Sequence, residues 1–247
     1  MKWMIRTGST PAERARLRVV YAMAGTVFFM PVNLFIMEGF FIIALGLGLY
    51  YCKKYPKLPL RQSPLSLPAV GFALVAFLSL VGSPHFLLGT AFYAFTVLQY
   101  LVLYFGILLF VRHSWERRLL FSTLLLSAFV VALYGLYQYA HMLTLHEAEW
   151  VDNSAFPMLR RRMYSTLYNP NLLSAFLLII MSAAASMMIC TRHRWHHVMY
   201  LAFFAILTLC LILTYSRGAW LSVCALIFFF GLFWDKQIGR ASCRERV

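Results

Sequence analysis

The chain has 247 residues, 62% of them apolar and only 12% charged, with a formal net charge of +14. A soluble domain carries about 25% charged residues, so a water-soluble globule is excluded, and the apolar runs are too long and too unalternating to be barrel strands. The cations fall in short clusters between apolar runs, not in basic tracts interleaved with aromatics, which argues against a nucleic-acid partner.

The fold class expected is all-α: a polytopic helical membrane protein with about eight transmembrane helices present. Residues 1–18 read as a basic cytoplasmic segment, and residues 19–234 as the transmembrane domain. The run 19–52 follows Arg14, Arg16 and Arg18, as a signal peptide might, but has no small-x-small cleavage site and is read as retained. As a single helix it would be roughly 50 Å long against a hydrocarbon core of about 30 Å, and both its flanks are basic. It is therefore expected to be a hairpin, turning near Pro31, Asn33, Glu38 and Gly39.

Lys53, Lys54, Lys57 and Arg61 mark the next loop, and a third span is expected at about 65–82. Gly82-Ser83-Pro84-His85 makes a cation-free outer turn before a fourth span at about 90–111. Arg112–Arg118 form an inner loop, and a fifth span runs over about 119–139. Residues 140–165 are the longest polar stretch. Spans six, seven and eight are expected at about 169–190, 198–214 and 219–234, with Arg192–His197 as an inner loop and Ser216-Arg217-Gly218 as an outer turn. Residues 235–247 break the pattern. They read as a short tail, a non-native scar, with the natural protein continuing past Trp234.

This map puts all but four of the 22 Lys and Arg on the inner side, with the N-terminus cytoplasmic. The exceptions are Arg160, Arg161, Arg162 and Arg217. A guanidinium presents a planar fork of donors that matches a phosphate or diphosphate, and a cation held at the outer face is suited to that ligand. Alternatively, the arginine triplet binds lipid headgroups or pairs with Glu147, Glu149 and Asp152.

Asn169-Pro170-Asn171 has two compatible readings. Asn169 is a good N-cap and Pro170 a good first helical residue, and the resulting helix N-terminus suits an anion. Ser216-Arg217-Gly218 either displays Arg217 or simply ends span seven, with Gly218 in a left-handed cap. Gln99 and Gln138 sit inside spans, where interhelical hydrogen bonding is the commoner role.

His141, His146, Glu147, Glu149 and Asp152 include possible general bases, but their spacing fits no metal motif. His196 and His197 fall on the inner side. Cys52, Cys190, Cys210, Cys224 and Cys243 form no CxxC pair and read as small buried apolar residues. No Walker, GxGxxG or GxSxG pattern occurs, so nucleotide-driven and serine-hydrolase chemistry have no support.

Three segments in order, Tyr134-Gly135-Leu136-Tyr137-Gln138-Tyr139, Arg162-Met163-Tyr164-Ser165-Thr166-Leu167-Tyr168-Asn169-Pro170-Asn171 and Thr214-Tyr215-Ser216-Arg217-Gly218-Ala219-Trp220-Leu221-Ser222, each end a span. Together they resemble the O-antigen ligase / Wzy-type O-antigen polymerase family. The resemblance covers most of residues 19–234. It implies a bacterial inner-membrane glycosyltransferase with ten to twelve or more spans, acting in polysaccharide or lipopolysaccharide biosynthesis. Such an enzyme moves a glycan from undecaprenyl diphosphate to lipid A–core, to another glycan repeat or to protein, without cofactor or metal.

By that resemblance Arg162 and Arg217 would bind the diphosphate, with Gln138, Ser165, Thr166, Asn169, Asn171, Ser216 and Gly218 as the supporting motif; Arg160 and Arg161 have no counterpart. The family's catalytic histidine lies in a later outer loop and has no match here, so this stretch by itself is expected to be inactive. The expected partners are the lipid-linked glycan, membrane lipid and the acceptor glycolipid, glycan or protein. The other readings are a transporter of a small anion, which predicts discontinuous spans and paired repeats, and a non-catalytic membrane subunit.

Overall fold

A computed structural model describes Gly8 and residues 10–55, 61–141, 162–191 and 193–232. The described residues are helical, with no strand among them. The elements are α1 (Pro11–Phe29), α2 (Leu34–Lys54), α3 (Ser66–Leu78), α4 (Phe86–Tyr93), α5 (Gln99–Phe110), α6 (Ser114–Ala140), α7 (Pro170–Cys190), α8 (Arg194–Leu213) and α9 (Arg217–Leu232). A π-turn at Ala94–Leu98 joins α4 to α5 in one rod. The expected tail 235–247 lies outside the described residues.

Among the described residues, five helices are long and apolar enough to cross a membrane: Leu34–Lys54, Phe86–Phe110, Ser114–Ala140, Pro170–Met188 and Arg194–Leu213. The chain is a helical membrane protein on that basis. Three other expected spans fall short of the same criterion. α1 carries Glu13, Arg14, Arg16 and Arg18. The 13 residues of α3 reach roughly 20 Å, and the described part of α9 has 16 residues. Phe35, Leu67 and Leu87 are 87, 83 and 84% exposed, which suits side chains facing lipid and not water.

Several boundaries differ from the sequence expectation. α1 starts at Pro11, inside the expected N-terminal segment, because Thr10 is a working N-cap that accepts from the Glu13 N–H at 3.1 Å and Pro11 suits the first turn. The hairpin turn lies at residues 30–33, so Glu38 and Gly39 fall within α2 and not at the turn. Ser114–Arg118 and Arg194–His197, expected as loops, are the first turns of α6 and α8. The helical backbone continues past the apolar stretch, since it satisfies its own hydrogen bonds wherever the side chains are solvated.

The chain divides into two compact units. The first comprises the residues up to Met30 and Leu34–Thr123, so it holds α1–α5 and the start of α6. Val19, Val20, Met23, Ala44, Tyr51 and Phe110 are buried at its core. Gln99, immediately after the π-turn, is buried and donates to Met37 Sδ at 3.3 Å, an interhelical role as expected for a polar residue within a span. At one end of this unit Arg16 and Glu116 form a bidentate ion pair of 3.0 and 2.7 Å.

The second unit comprises Pro31–Asn33 and the chain from Leu124 onward. On α6 the buried positions are Ala128, Val131 and Ala132, on α7 Leu173, Leu177, Ile180 and Ala184, and on α8 Leu207, Cys210 and Leu211. Each set recurs at three- and four-residue steps, so each helix turns one face inward. Lipid tails are as apolar as these side chains. Association therefore depends on close packing, for which the small residues of α6 are suited.

Candidate functional site

The second unit brings the three sequence segments together through backbone-directed hydrogen bonds. Gln138, near the end of α6, is buried, and its Oε1 accepts from the Ser165 N–H at 2.8 Å and the Tyr164 N–H at 3.4 Å. Ser165 Oγ donates to the Val131 carbonyl at 2.7 Å, about two turns earlier on the same helix. On the other side, the Met163 N–H donates to the Leu213 carbonyl at 3.0 Å. Residues 162–165 thus cross between the ends of α6 and α8 as a fixed strap.

Gly135 explains why the strap lies so close to α6. A Cβ at that position would stand 2.7 Å from Met163 Cε and 3.2 Å from Ser165 Cβ. Met163 is fully buried there. The glycine of the Tyr134–Tyr139 segment therefore lets the strap pack close, and Gln138, about 4.5 Å further along the axis at about 1.5 Å rise per residue, supplies the hydrogen bonds.

The strap continues into a short 3-10 turn at Ser165–Leu167. Thr166 Oγ1 donates to the Pro31 carbonyl at 2.5 Å, and Pro31 belongs to this same unit. Tyr168 then takes a left-handed conformation, φ 55°, and Asn169 caps α7. Its Oδ1 accepts from the N–H groups of Asn171 at 2.8 Å and Leu172 at 3.3 Å, with Pro170 in the first turn, as the sequence predicts.

Among the described residues, three non-glycines have positive φ: Ser165 (52°), Tyr168 (55°) and Tyr215 (50°). All three lie in the segments that converge here. A side-chain-bearing residue in this region costs about 1–2 kcal/mol, so the surrounding hydrogen bonds must hold it.

Arg162 leaves the strap towards α7 and α9. Its Nε donates to the Thr214 carbonyl at 2.7 Å and one Nη to Asn171 Oδ1 at 3.0 Å. Partial burial pulls its guanidinium below its ordinary pKa, but a guanidinium so far above neutrality stays charged. Arg217 is exposed and opens α9, with Ser216 buried just before it. No acidic side chain among the described residues forms an ion pair with Arg217.

Gly218 does not form the left-handed cap that its position after Arg217 suggested. It lies in the first turn of α9, and it is Tyr215, following the C-cap residue Thr214 of α8, that adopts the left-handed conformation. The helix ends before the glycine is reached, because the Thr214 and Tyr215 N–H groups already close the last turn on Cys210, Leu211 and Ile212 carbonyls.

Arg162, Asn171, Ser174, Ser216, Arg217 and Ser222 line one cavity of about 700 Å³, together with Gly218 and Tyr215. Two helix N-termini, those of α7 and α9, contribute residues to it. Asn169 already takes the Asn171 and Leu172 N–H groups of α7 and Pro170 has none, so it is the start of α9 that can offer N–H groups to an anion, beside the two guanidinium groups. An arrangement of this kind can receive an oxyanion. Gln138, Ser165, Thr166 and Asn169 do not line it; they hold the strap and the helix end behind it.

Ser174 escaped the sequence reading, and Ser222 entered it only as the last residue of the third segment. Each is a helical turn beyond a recognised residue: Ser174 Oγ donates to the Asn171 carbonyl and Ser222 Oγ to the Gly218 carbonyl. That spacing from Asn171 and Gly218 was the available signal. Arg160, Arg161, His146, Glu147, Glu149 and Asp152 lie outside the described residues. His141 ends α6, with Nδ1 3.0 Å from the Tyr137 carbonyl, and His197 Nδ1 lies 3.0 Å from the Met188 carbonyl. No group of metal-ligating side chains is assembled among the described residues.

Replacing Gln138 with Ala strands two buried N–H groups of the strap. The expected cost is about 1–3 kcal/mol of stability, read as a lower unfolding midpoint in detergent. A variant as stable as the parent would show that the strap is held elsewhere.

Comparison of the chain with protein-family models, with curated proteins and with solved structures finds no match.

Proposed function

We propose that this chain is the diphosphate-binding part of a membrane glycosyltransferase of the O-antigen ligase type. In this reading the N-terminus is cytoplasmic, the chain contributes about eight spans, and the protein works at the outer face of a bacterial inner membrane. The donor is a glycan on undecaprenyl diphosphate, and the acceptor is a glycolipid, a glycan repeat or a protein.

The observation that carries the reading is the convergence of Arg162 and Arg217 on one cavity between two helix N-termini. In the transfer, the acceptor oxygen forms a bond to the anomeric carbon as the bond from that carbon to the diphosphate oxygen breaks. The electron pair leaves with the lipid diphosphate, whose new charge the two guanidinium groups and the first N–H groups of α9 stabilise. The acceptor's proton passes to a general base, which this proposal does not assign to any residue of the chain.

The test is a pair of titrations of the purified protein in detergent, with undecaprenyl diphosphate and with undecaprenyl monophosphate. The second phosphate gives the cavity another set of charge-assisted hydrogen bonds, so the diphosphate should bind about tenfold or more tightly. Equal affinity would refute the diphosphate site. Uptake of a small anion into proteoliposomes, with no lipid-linked glycan present, would favour a transporter instead.

A further inference from the structure

A second cavity lies wholly within the first unit and has a different character. It is a groove of about 380 Å³ bounded by α1, α2 and α5. Phe41, Leu45, Leu49 and Cys52 line it from α2, and Val102 and Leu109 from α5. Its floor is shallow where two glycines face the helices opposite. A Cβ on Gly48 would stand 3.3 Å from the Phe110 ring, and one on Gly106 would stand 3.4 Å from Met23 Sδ. The lining carries no charged or hydrogen-bonding side chain beyond the Cys52 thiol, so the groove has nothing to offer a polar ligand.

One end of the groove is basic. On α2 the lining positions 45 and 49 continue at the same four-residue step to Lys53, which is exposed, with Lys54 beside it. Lys54 Nζ lies 3.3 Å from the Tyr50 hydroxyl and 5.6 Å from the centre of that ring, so it is held against the helix end. On α5 the lining reaches Leu109 and Phe110, and Arg112 follows, its Nε bonded to the Leu109 carbonyl at 3.1 Å. The Tyr51 and Phe110 rings meet edge to face at 5.8 Å, which ties these two helix ends together. Both α2 and the Phe86–Phe110 rod are of membrane-spanning length, so the groove lies at hydrocarbon depth and its basic end at a membrane surface.

We propose that this groove binds an anionic phospholipid, with an acyl chain lying along Leu45, Leu49 and Val102 and the headgroup phosphate at Lys53. Apolar lining at membrane depth selects a hydrocarbon chain, and the basic end selects a negative headgroup. Basic pockets between membrane helices recognise anionic lipids by this combination. The site is separate from the oxyanion cavity and does not depend on the glycosyltransferase reading.

The test uses native mass spectrometry of the full chain released from detergent, with phosphatidylglycerol or phosphatidylcholine added. The parent protein should retain one phosphatidylglycerol in preference to phosphatidylcholine. Leu45→Trp, at a lining position already 40% exposed, fills the groove without burying a new side chain in the core and should abolish retention of that lipid. Lys53→Gln should reduce the preference for phosphatidylglycerol about fivefold while leaving an acyl chain bound. Glycerol 3-phosphate, which has the headgroup phosphate and no chain, should not compete. Retention that is unchanged in Leu45→Trp, no preference between the two lipids in the parent, or competition by glycerol 3-phosphate would each overturn the proposal.

Discussion

Arg217→Ala is expected to weaken binding of undecaprenyl diphosphate about 10- to 100-fold, the loss of a charge-assisted contact of about 1.5–3 kcal/mol. The residue is exposed at the start of α9, and no acidic partner among the described residues would be left unpaired by its removal. The fold should therefore survive, and size-exclusion profile and unfolding midpoint should match those of the parent. Arg162 is a poorer choice for this experiment. Its side chain also holds the Thr214 carbonyl and Asn171, so an alanine there would loosen the site as well as remove a charge.

Arg217→Lys should fall between the parent and the alanine variant, since an ammonium keeps the charge and loses the planar fork. Titration of the three proteins with the same lipid gives the answer directly. If Arg217→Ala binds the diphosphate as tightly as the parent, the arginine has no part in holding it. In a transfer assay with the proposed donor, the same order of activities is expected.

The second large effect concerns the Arg16–Glu116 pair. Glu116 is fully buried and Arg16 nearly so. Besides the bidentate pair, Arg16 Nη1 donates to the Phe110 carbonyl at 2.6 Å, and Glu116 Oε2 accepts from the N–H groups of Arg112 at 2.7 Å and His113 at 3.1 Å. The carboxylate thereby closes the turn between α5 and α6 and caps the start of α6 from its third position. Removing either partner leaves a buried charge with no counterpart.

Arg16→Ala or Glu116→Ala should each cost about 3–5 kcal/mol, measured as a fall in the unfolding midpoint in detergent. Replacing both, Arg16→Met with Glu116→Leu, should recover part of that loss, because no charge is then left buried. A double variant less stable than the sum of the singles would refute this account. So would single variants with an unchanged midpoint.

Much of the local structure could be read from the residues. Asn169-Pro170 marked the start of α7, since a short polar side chain and a fixed φ act within one turn, whereas the same pattern at Thr10-Pro11 lay hidden in a segment read as a cytoplasmic lead. Gln138 and Gln99 could be anticipated as hydrogen-bond partners because a polar group within a span needs a partner. The hairpin turn was misplaced as far as Glu38 and Gly39, because a polar residue near the end of a span looks the same in sequence whether it is in the turn or one helical turn inside it. A left-handed cap at Gly218, one of the two readings of Ser216-Arg217-Gly218, fails for a similar reason. Glycine is the usual residue at such a cap, and only the observed end of α8 shows that Tyr215 occupies it.

Sequence by itself determined that the chain is helical and belongs in a membrane, because length and apolarity of a run are additive properties that need no partner. It also determined which residues stand out against that background: the arginines, the two glutamines and the Asn169-Pro170-Asn171 start. Only the tertiary structure decided what those residues meet. The pairing of Arg16 with Glu116, the strap from Arg162 to Ser165 fitted over Gly135, and the shared cavity of Arg162 and Arg217 join residues that lie 100, 27 to 30 and 55 positions apart. Such contacts depend on the packing of whole helices, and the three- and four-residue periodicity that shapes a single helix carries no record of its neighbour.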